Sequence, residues 1–256
     1  MTDTTVVEAA RRSLGAVGVY VPTPFTAAIP MDAQREAAVR LEDTGFGTVW
    51  CNEPFGGKDV FAQLAVLMAA TRRVTFATGI ANIWARAPQT MHGGAAVLAQ
   101  AFPGRLVLGL GVGYPEQAAA TGREFGRPLV TMRDYLDRMS APSRIPAPDV
   151  PYARIIGAMG PKMVALAGDA ADGAYPAGRP PEFTARTRQT LGPDKLLIVG
   201  LQAAAEDAPD ALASQVHAHL AAGADHVTLL PTSAGQGFTA DVDRLVHLAP
   251  ALVRPH

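Results

Sequence analysis

Eight short apolar runs, each followed by a stretch with helical periodicity, constrain this chain more than any other feature. The runs are GAVGVYV (15–21), GFGTVWCN (45–52), RVTFATGI (73–80), RLVLGLGVGYP (105–115), ARIIGA (153–158), DGAYPA (172–177), LLIVGLQ (196–202) and HVTLLP (226–231). Unbroken valine, isoleucine and leucine, without polar alternation, is the pattern of strands buried on both faces, as in a parallel sheet. Helical punctuation lies between them. Asp32 is placed as the N-cap of a first helix that Gly45 closes, and further helices are expected over 59–71, from Pro88 to about 101, 131–139, 161–168, 181–191, 209–222 and 240–253. Eight strand–helix pairs in one chain of 256 residues predict a single-domain α/β fold, a (β/α)8 TIM barrel, with an open doubly wound sheet as the alternative. A hydrophobic content of 48% suffices for one large core. Pro22 and Pro24 halt the first run, and the irregular SAPSRIPAPDVP (140–151) reads as a proline-stiffened loop inside a repeat, not a domain boundary.

Charge narrows the partners. Lys plus Arg number 22 against 23 Asp plus Glu, with no basic block, so neither nucleic acid nor an anionic membrane is an expected partner. Cys51 is the sole cysteine, which excludes an internal disulfide and suits a reducing cytoplasm. The N-terminal MTDTTVVEAARRSLG lacks the apolar core of a secretory signal, and no apolar run approaches the ~20 residues of a membrane span. The stretch DVFAQLAVLMAAT (59–71) is apolar on nearly every side, and Gly93, Gly94, Ala95 and Ala96 form a small-residue run on the next helix. An outer barrel helix normally shows water a polar stripe, so a homodimer through these helices is expected.

A barrel of this kind builds its site from the C-terminal strand ends. In the fourth run, Gly109, Gly111 and Gly113 recur at every second position and leave one strand face bare, for a planar ligand or for a neighbouring side chain. Pro115, where the strand opens into a loop, favours the ligand. A dinucleotide fingerprint fails, because Tyr114 stands at the third glycine position and Pro115 follows. Catalytic groups are scarce at the strand ends. Lys58, Lys162 and Lys195 are not placed like a Schiff-base lysine, the histidines form no metal or acid–base cluster, and there is no G-x-S-x-G elbow or phosphate loop. Glu53 is the one carboxylate at a strand end. Such poverty points to a cofactor that carries the reaction. IIGAMGPKM (155–163) offers an anion site, with Gly157 and Gly160 leading into a helix that has Pro161 at its first position and Lys162 beside it; an ordinary tight turn is the alternative. Cys51 and Trp50 read as core, Trp84 as core or cofactor contact, and Arg179 as a solvated loop residue.

The ordered set LEDTGFGTVWCNEPFGGKD, VTFATGIANIWARAPQTM, GRLVLGLGVGYP, GRPLVTMRDYLDRM, GAMGPKMVALAGDAADG and AGADHVTLLP resembles the bacterial-luciferase-like family of flavin and deazaflavin oxidoreductases, especially its branch using coenzyme F420. The resemblance implies F420 as cofactor, with FMN as the alternative. It implies a non-proline cis bond between Gly79 and Ile80 under the cofactor ring, with Asn82, Gly111, Gly113 and Tyr114 lining the same slot. It assigns Gly157, Ala158, Met159 and Gly160 to the cofactor phosphate. Asn52 and Glu53 would face the reactive ring edge as the catalytic pair, with Glu53 moving the proton. The implied activity is hydride transfer between the deazaflavin and a small organic substrate; an FMN-dependent monooxygenase and a catalytically silent ligand-binding paralogue are the other readings. Two departures stand out. The family's helical insertion after strand seven is missing, since Gln202 leads through AAAEDAP directly to the next helix, and strand two ends Asn52-Glu53 where many members carry Asp-His.

Overall fold

The computed structural model describes residues 4–22, 29–54, 56–232 and 237–253. Its first element is a helix the apolar-run analysis does not foresee, α1 (Thr4–Leu14). Strand and helix then alternate: β1 (Val17–Tyr20), α2 (Met31–Asp43), β2 (Thr48–Cys51), α3 (Val60–Ala70), β3 (Thr75–Thr78), β4 (Ala81–Asn82) and α4 (Pro88–Ala101). The middle of the chain holds β5 (Leu106–Gly111), α5 (Pro115–Ala120), α6 (Pro128–Ser140), β6 (Ala153–Gly157) and α7 (Pro161–Ala170). It ends with β7 (Gly173–Tyr175), α8 (Pro181–Leu191), β8 (Leu196–Ala203), α9 (Pro209–Ala221), β9 (His226–Pro231) and α10 (Phe238–Leu252).

Every strand pairing is parallel, and β1 joins β9 while β3 joins β5, which closes the sheet into a barrel of eight staves. β3 and β4 are one interrupted stave. Phe76 and Ala77 face Leu106 and Val107, and the pairing resumes with Ala81 and Asn82 on Leu110 and Gly111. Four steps along one strand therefore match three along the other, a one-residue bulge of the kind that re-aims a strand end beside a site. Thr78 spans the gap with its hydroxyl, which donates to Gly109 O at 2.7 Å and accepts from Gly109 N at 2.8 Å.

The core has two layers. Outward strand residues such as Val49, Phe76, Leu108 and Val199 pack under the helices. Inward residues, among them Tyr20, Trp50, Ile155, Tyr175 and Ile198, form a second cluster that Val7, Ala10 and Leu14 of α1 close from below. α1 is tied there by polar bonds. Thr48 Oγ1 donates to Leu14 O at 2.7 Å, Thr75 Oγ1 to Ser13 O at 2.9 Å, and Arg11 Nε to Asp225 Oδ1 at 2.9 Å.

Several local expectations are corrected. Pro30, not Asp32, is the N-cap of α2, and Asp32 sits in its first turn bound by Arg35 at 2.5 Å. Gly45 does follow the helix end in the left-handed region, with φ of 91°. Pro115 does not merely end a strand: it opens α5 at the first helical position, where a missing N–H costs nothing. Pro24 lies outside the described residues.

Candidate active site at the C-terminal ends of β2 to β5

The floor of the site is the peptide bond between Gly79 and Ile80, which is cis. A column of buried side chains supports it from inside the barrel. Tyr20 Oη donates to Gly79 O at 2.7 Å and, its proton so used, accepts from Tyr175 Oη at 2.8 Å. Burial raises the Tyr20 hydroxyl well above its ordinary value, with Tyr175 adding to the effect, and burial raises Tyr175 too, so both stay neutral. Trp50 stacks on Tyr175 with centroids 5.4 Å apart and donates Nε1–H to His226 Nε2 at 3.1 Å. His226 in turn donates from Nδ1 to Gly15 O at 2.7 Å, and burial lowers its pKa to about 4. Only glycine fits position 79, because a Cβ there would lie 1.7 Å from Tyr20 Oη.

The bare face of β5 is occupied from within the chain. A Cβ on Gly109 would lie 2.1 Å from Thr78 O, and one on Gly111 would lie 1.4 Å from Ile80 Cδ1. The expected planar ligand against these two glycines gives way to the alternative, a neighbouring backbone and side chain. Gly157 also looks onto Ile80 Cδ1, 3.6 Å from its Cβ position. Gly111 and Gly157 thus stand behind Ile80, not in the open site.

Above the floor is a cleft of ≈ 570 Å³, a volume in the range of small-molecule sites. Asn52, Glu53, Gly79, Ile80, Asn82, Gly113 and Tyr114 meet in its wall, so seven of the sequence-derived residues come together. The Asn52 amide makes no hydrogen bond among the described residues. Tyr114 stands at the rim, 65% exposed. Gly113 takes φ of 61°, a conformation glycine favours, to turn the chain into α5. Pro54, Glu116 and Gln117, not foreseen from the sequence, also line the cleft. Gln117 was findable: it stands three residues after the N-cap Tyr114, and its Oε1 accepts from Tyr114 N at 2.9 Å, half of a capping box.

Glu53 is not placed as a proton donor. Its side chain is only 3% exposed, and each carboxylate oxygen accepts two hydrogen bonds. Oε1 takes Arg86 Nη2 and Val60 N, the latter at 3.2 Å; Oε2 takes Arg86 Nη1 at 3.0 Å and Asn82 N at 2.8 Å. A carboxylate with four donors has neither a proton to give nor a free lone pair in reach of a substrate. Asn82 is also fixed, its Oδ1 accepting from Trp84 N at 2.9 Å.

The β6–α7 turn is a separate rim. The Ala158 N–H is spent on Tyr175 O at 3.1 Å and Ala158 is buried, so it offers nothing to an anion. Met159 is exposed, and its carbonyl accepts from Arg179 Nη2 at 3.2 Å. Gly160 caps α7, and its Cβ position has nothing within 4 Å. Lys162 lines the outer groove between α6 and α7 and does not face the cleft. Trp84 belongs to the core: it is buried, gives Nε1–H to Val112 O at 2.7 Å and lies under Arg123. Cys51 is also core, burial pushing its thiol up to about 12 against a smaller opposing pull from Lys58.

Among the described residues no cluster of histidine, cysteine and carboxylates could hold a metal, and no helix is long and apolar enough to cross a membrane. The chain is 29% identical over 168 residues to the 5,10-methylenetetrahydromethanopterin reductase of Methanolobus tindarius, covering 58% of this chain and 51% of that protein. A reductase of the same name from Archaeoglobus fulgidus is 26% identical over 149 residues, covering 52% and 45%. The chain spans about half the length of these curated relatives. Among solved structures, an F420-dependent secondary alcohol dehydrogenase in complex with an F420-acetone adduct superposes with a TM-score of 0.74 at 16% identity, over 94% of this chain and 99% of that one. The oxygenating constituent of 3,6-diketocamphane monooxygenase of Pseudomonas putida, in complex with FMN, superposes at 0.72 and 11% identity over 93% and 98%. At these identities the likeness is one of fold. The profile of the luciferase-like monooxygenase family matches residues 15–142, half of the chain, and the chain belongs to that family.

Proposed function

We propose that this protein is an F420-dependent oxidoreductase that transfers hydride between the deazaflavin and a small organic substrate. The observation that carries the reading is the cleft over Gly79–Ile80, whose floor is held by Tyr20 and whose wall carries the uncommitted amide of Asn52. The residues fit a tricyclic cofactor. The ring would rest on Gly79 and Ile80 with Tyr114 at its edge, and the open approach at Gly160 leaves the first turn of α7 accessible to a phosphate. The cofactor supplies the hydride chemistry. The chain's part is to orient and to exclude water. With Glu53 fully engaged, Asn52 is the group left to hydrogen-bond a substrate oxygen, and Glu116 at the rim is the cleft's other carboxylate. The reductases and the F420 complex among the relatives support this choice. A second reading, an FMN-dependent monooxygenase, is supported by the FMN complex of the same fold.

Titration of the protein with F420 and, separately, with FMN, read by fluorescence quenching and thermal shift, tests both. Saturable F420 binding is expected. FMN binding alone moves the protein to the second reading, and binding of neither leaves a catalytically silent barrel. We further propose a cytoplasmic homodimer through the outer faces of α3 and α4, where Val66 and Val97 are 38% and 54% exposed. Gly94 contributes less than its small size suggests, since Phe61 of the same chain fills the space beside it. A monomeric mass in solution would overturn the dimer.

A further inference from the structure

We propose that Glu53, through its buried pair with Arg86, is a positioning residue that fixes the far end of the cleft floor. Tyr20 holds Gly79 O from within the barrel, and Glu53 Oε2 holds Asn82 N at 2.8 Å on the other side of the bulge. The floor is thereby pinned at both ends. The same carboxylate caps the start of α3 at Val60 N, 3.2 Å away. Arg86 carries the pin outward. Its guanidinium joins Asp59 Oδ2 at 2.6 Å, lies 4.8 Å from the centre of the Phe61 ring, and is itself only 9% exposed, while its carbonyl accepts from Tyr135 Oη at 2.9 Å. One ion pair thus ties the ends of two strands to α3, α6 and the lead into α4. A carboxylate this enclosed, in the wall of a substrate-sized cleft yet saturated with donors, acts by holding the backbone that the ligand touches. Its effect on cofactor affinity rests on the functional reading above; its effect on Asn82 does not.

The test is deuterium exchange of the cofactor-free protein, comparing wild type, Glu53→Gln and Asp59→Asn, followed by titration with F420 and FMN. Removing a charged acceptor from a buried amide predicts about tenfold or faster exchange at Asn82 in Glu53→Gln. Peptides of β8 and β9, across the barrel, should be unchanged. Asp59→Asn, which touches Arg86 but not Asn82 and keeps a capping side chain, should leave Asn82 protected. The dissociation constant of whichever cofactor the wild type binds should rise by about tenfold in Glu53→Gln, beyond any loss in Asp59→Asn. Unchanged exchange at Asn82 overturns the proposal, as does an equal rise in every barrel peptide, which would mean general destabilisation. Should Glu53→Gln fail to fold, Arg86→Lys, which keeps the charge but not the two-pronged geometry, is read by the same criterion. Wild type that binds neither cofactor defeats the functional reading and leaves the exchange result to decide the role of Glu53.

Discussion

Adding one methyl group at Gly109 and one at Gly111 should have very different effects, although the two glycines are two residues apart on β5. At Gly109 the new Cβ would lie 2.1 Å from Thr78 O, against the 3.0 Å below which such contacts are essentially never seen. The obstacle is backbone and cannot rotate away. Separating β3 from β5 by the required amount breaks both bonds of the Thr78 hydroxyl to Gly109. Two hydrogen bonds at about 1 kcal/mol each, plus overpacking at about 2 kcal/mol, put Gly109→Ala at about 4 kcal/mol of lost stability. For a chain of this size that lowers Tm by about 8–16 °C. At Gly111 the new Cβ would lie 1.4 Å from Ile80 Cδ1 and 2.6 Å from Ile80 Cγ1, both atoms of a side chain that can turn aside. An off-rotamer isoleucine costs about 1 kcal/mol, or about 2–4 °C. The displaced methyl group moves toward the cleft, so Gly111→Ala should weaken ligand binding more than it weakens the fold. Ile80→Val removes Cδ1 but keeps a γ carbon, so the double variant should recover only part of the loss. Gly93→Ala, inside α4 with nothing within 4 Å, is the control, expected to lose no stability. Circular dichroism under heat and denaturant measures all four variants. Equal destabilisation at the two glycines, or a Gly109→Ala protein within about 1 kcal/mol of wild type, would refute the packing argument.

Other predictions follow from the same geometry. Because His226 has a folded pKa of about 4 against 6.5 when unfolded, protons favour the unfolded chain between these values, and stability should fall by about 3 kcal/mol as pH drops from about 6.5 to about 4. His92 and His219, also lowered by burial, add in the same direction, so the diagnostic is a shallower denaturation slope in His226→Gln; parallel slopes would count against it. Burial alone would raise Glu42, but bonds from Arg72 N, Arg73 N and Val74 N and the charge of Arg73 lower it overall, so its contribution is present above 4.5 and lost as pH falls through the lower folded value. Glu42→Gln should cost about 1–3 kcal/mol at neutral pH, with the difference from wild type vanishing in acid. Asn52→Ala, which breaks no bond among the described residues, should leave stability within about 0.5 kcal/mol and reduce turnover by about tenfold or more; wild-type turnover would remove Asn52 from the site.

The alternation of apolar runs with capped helices made the barrel legible, and the bounds of α4, α8 and β9 coincide with those expected from Pro88, Pro181 and His226, because proline and buried branched residues act locally. α1 was not legible in this way: its apolar face has meaning only once there is a barrel bottom to cover. The floor at Gly79–Ile80 and the gathering of Asn52, Asn82, Gly113 and Tyr114 were read from the family resemblance, and the cleft brings them together. Three readings of the candidate site failed for one physical reason. The filler of the bare β5 face, the saturation of Glu53 and the spent N–H of Ala158 all depend on partners 17 to 33 residues away, namely Ile80, Arg86 and Tyr175. Spacing within a motif carries no information about such partners.

The clasp between Arg11 and Asp225 joins residues 214 positions apart. α1 precedes every strand of the barrel in the chain, yet the carboxylate that anchors it is not made until just before β9. Until then Val7, Ala10 and Leu14 have only a partial surface to cover. The docking of α1 therefore reports that the final stave, β9, is in place.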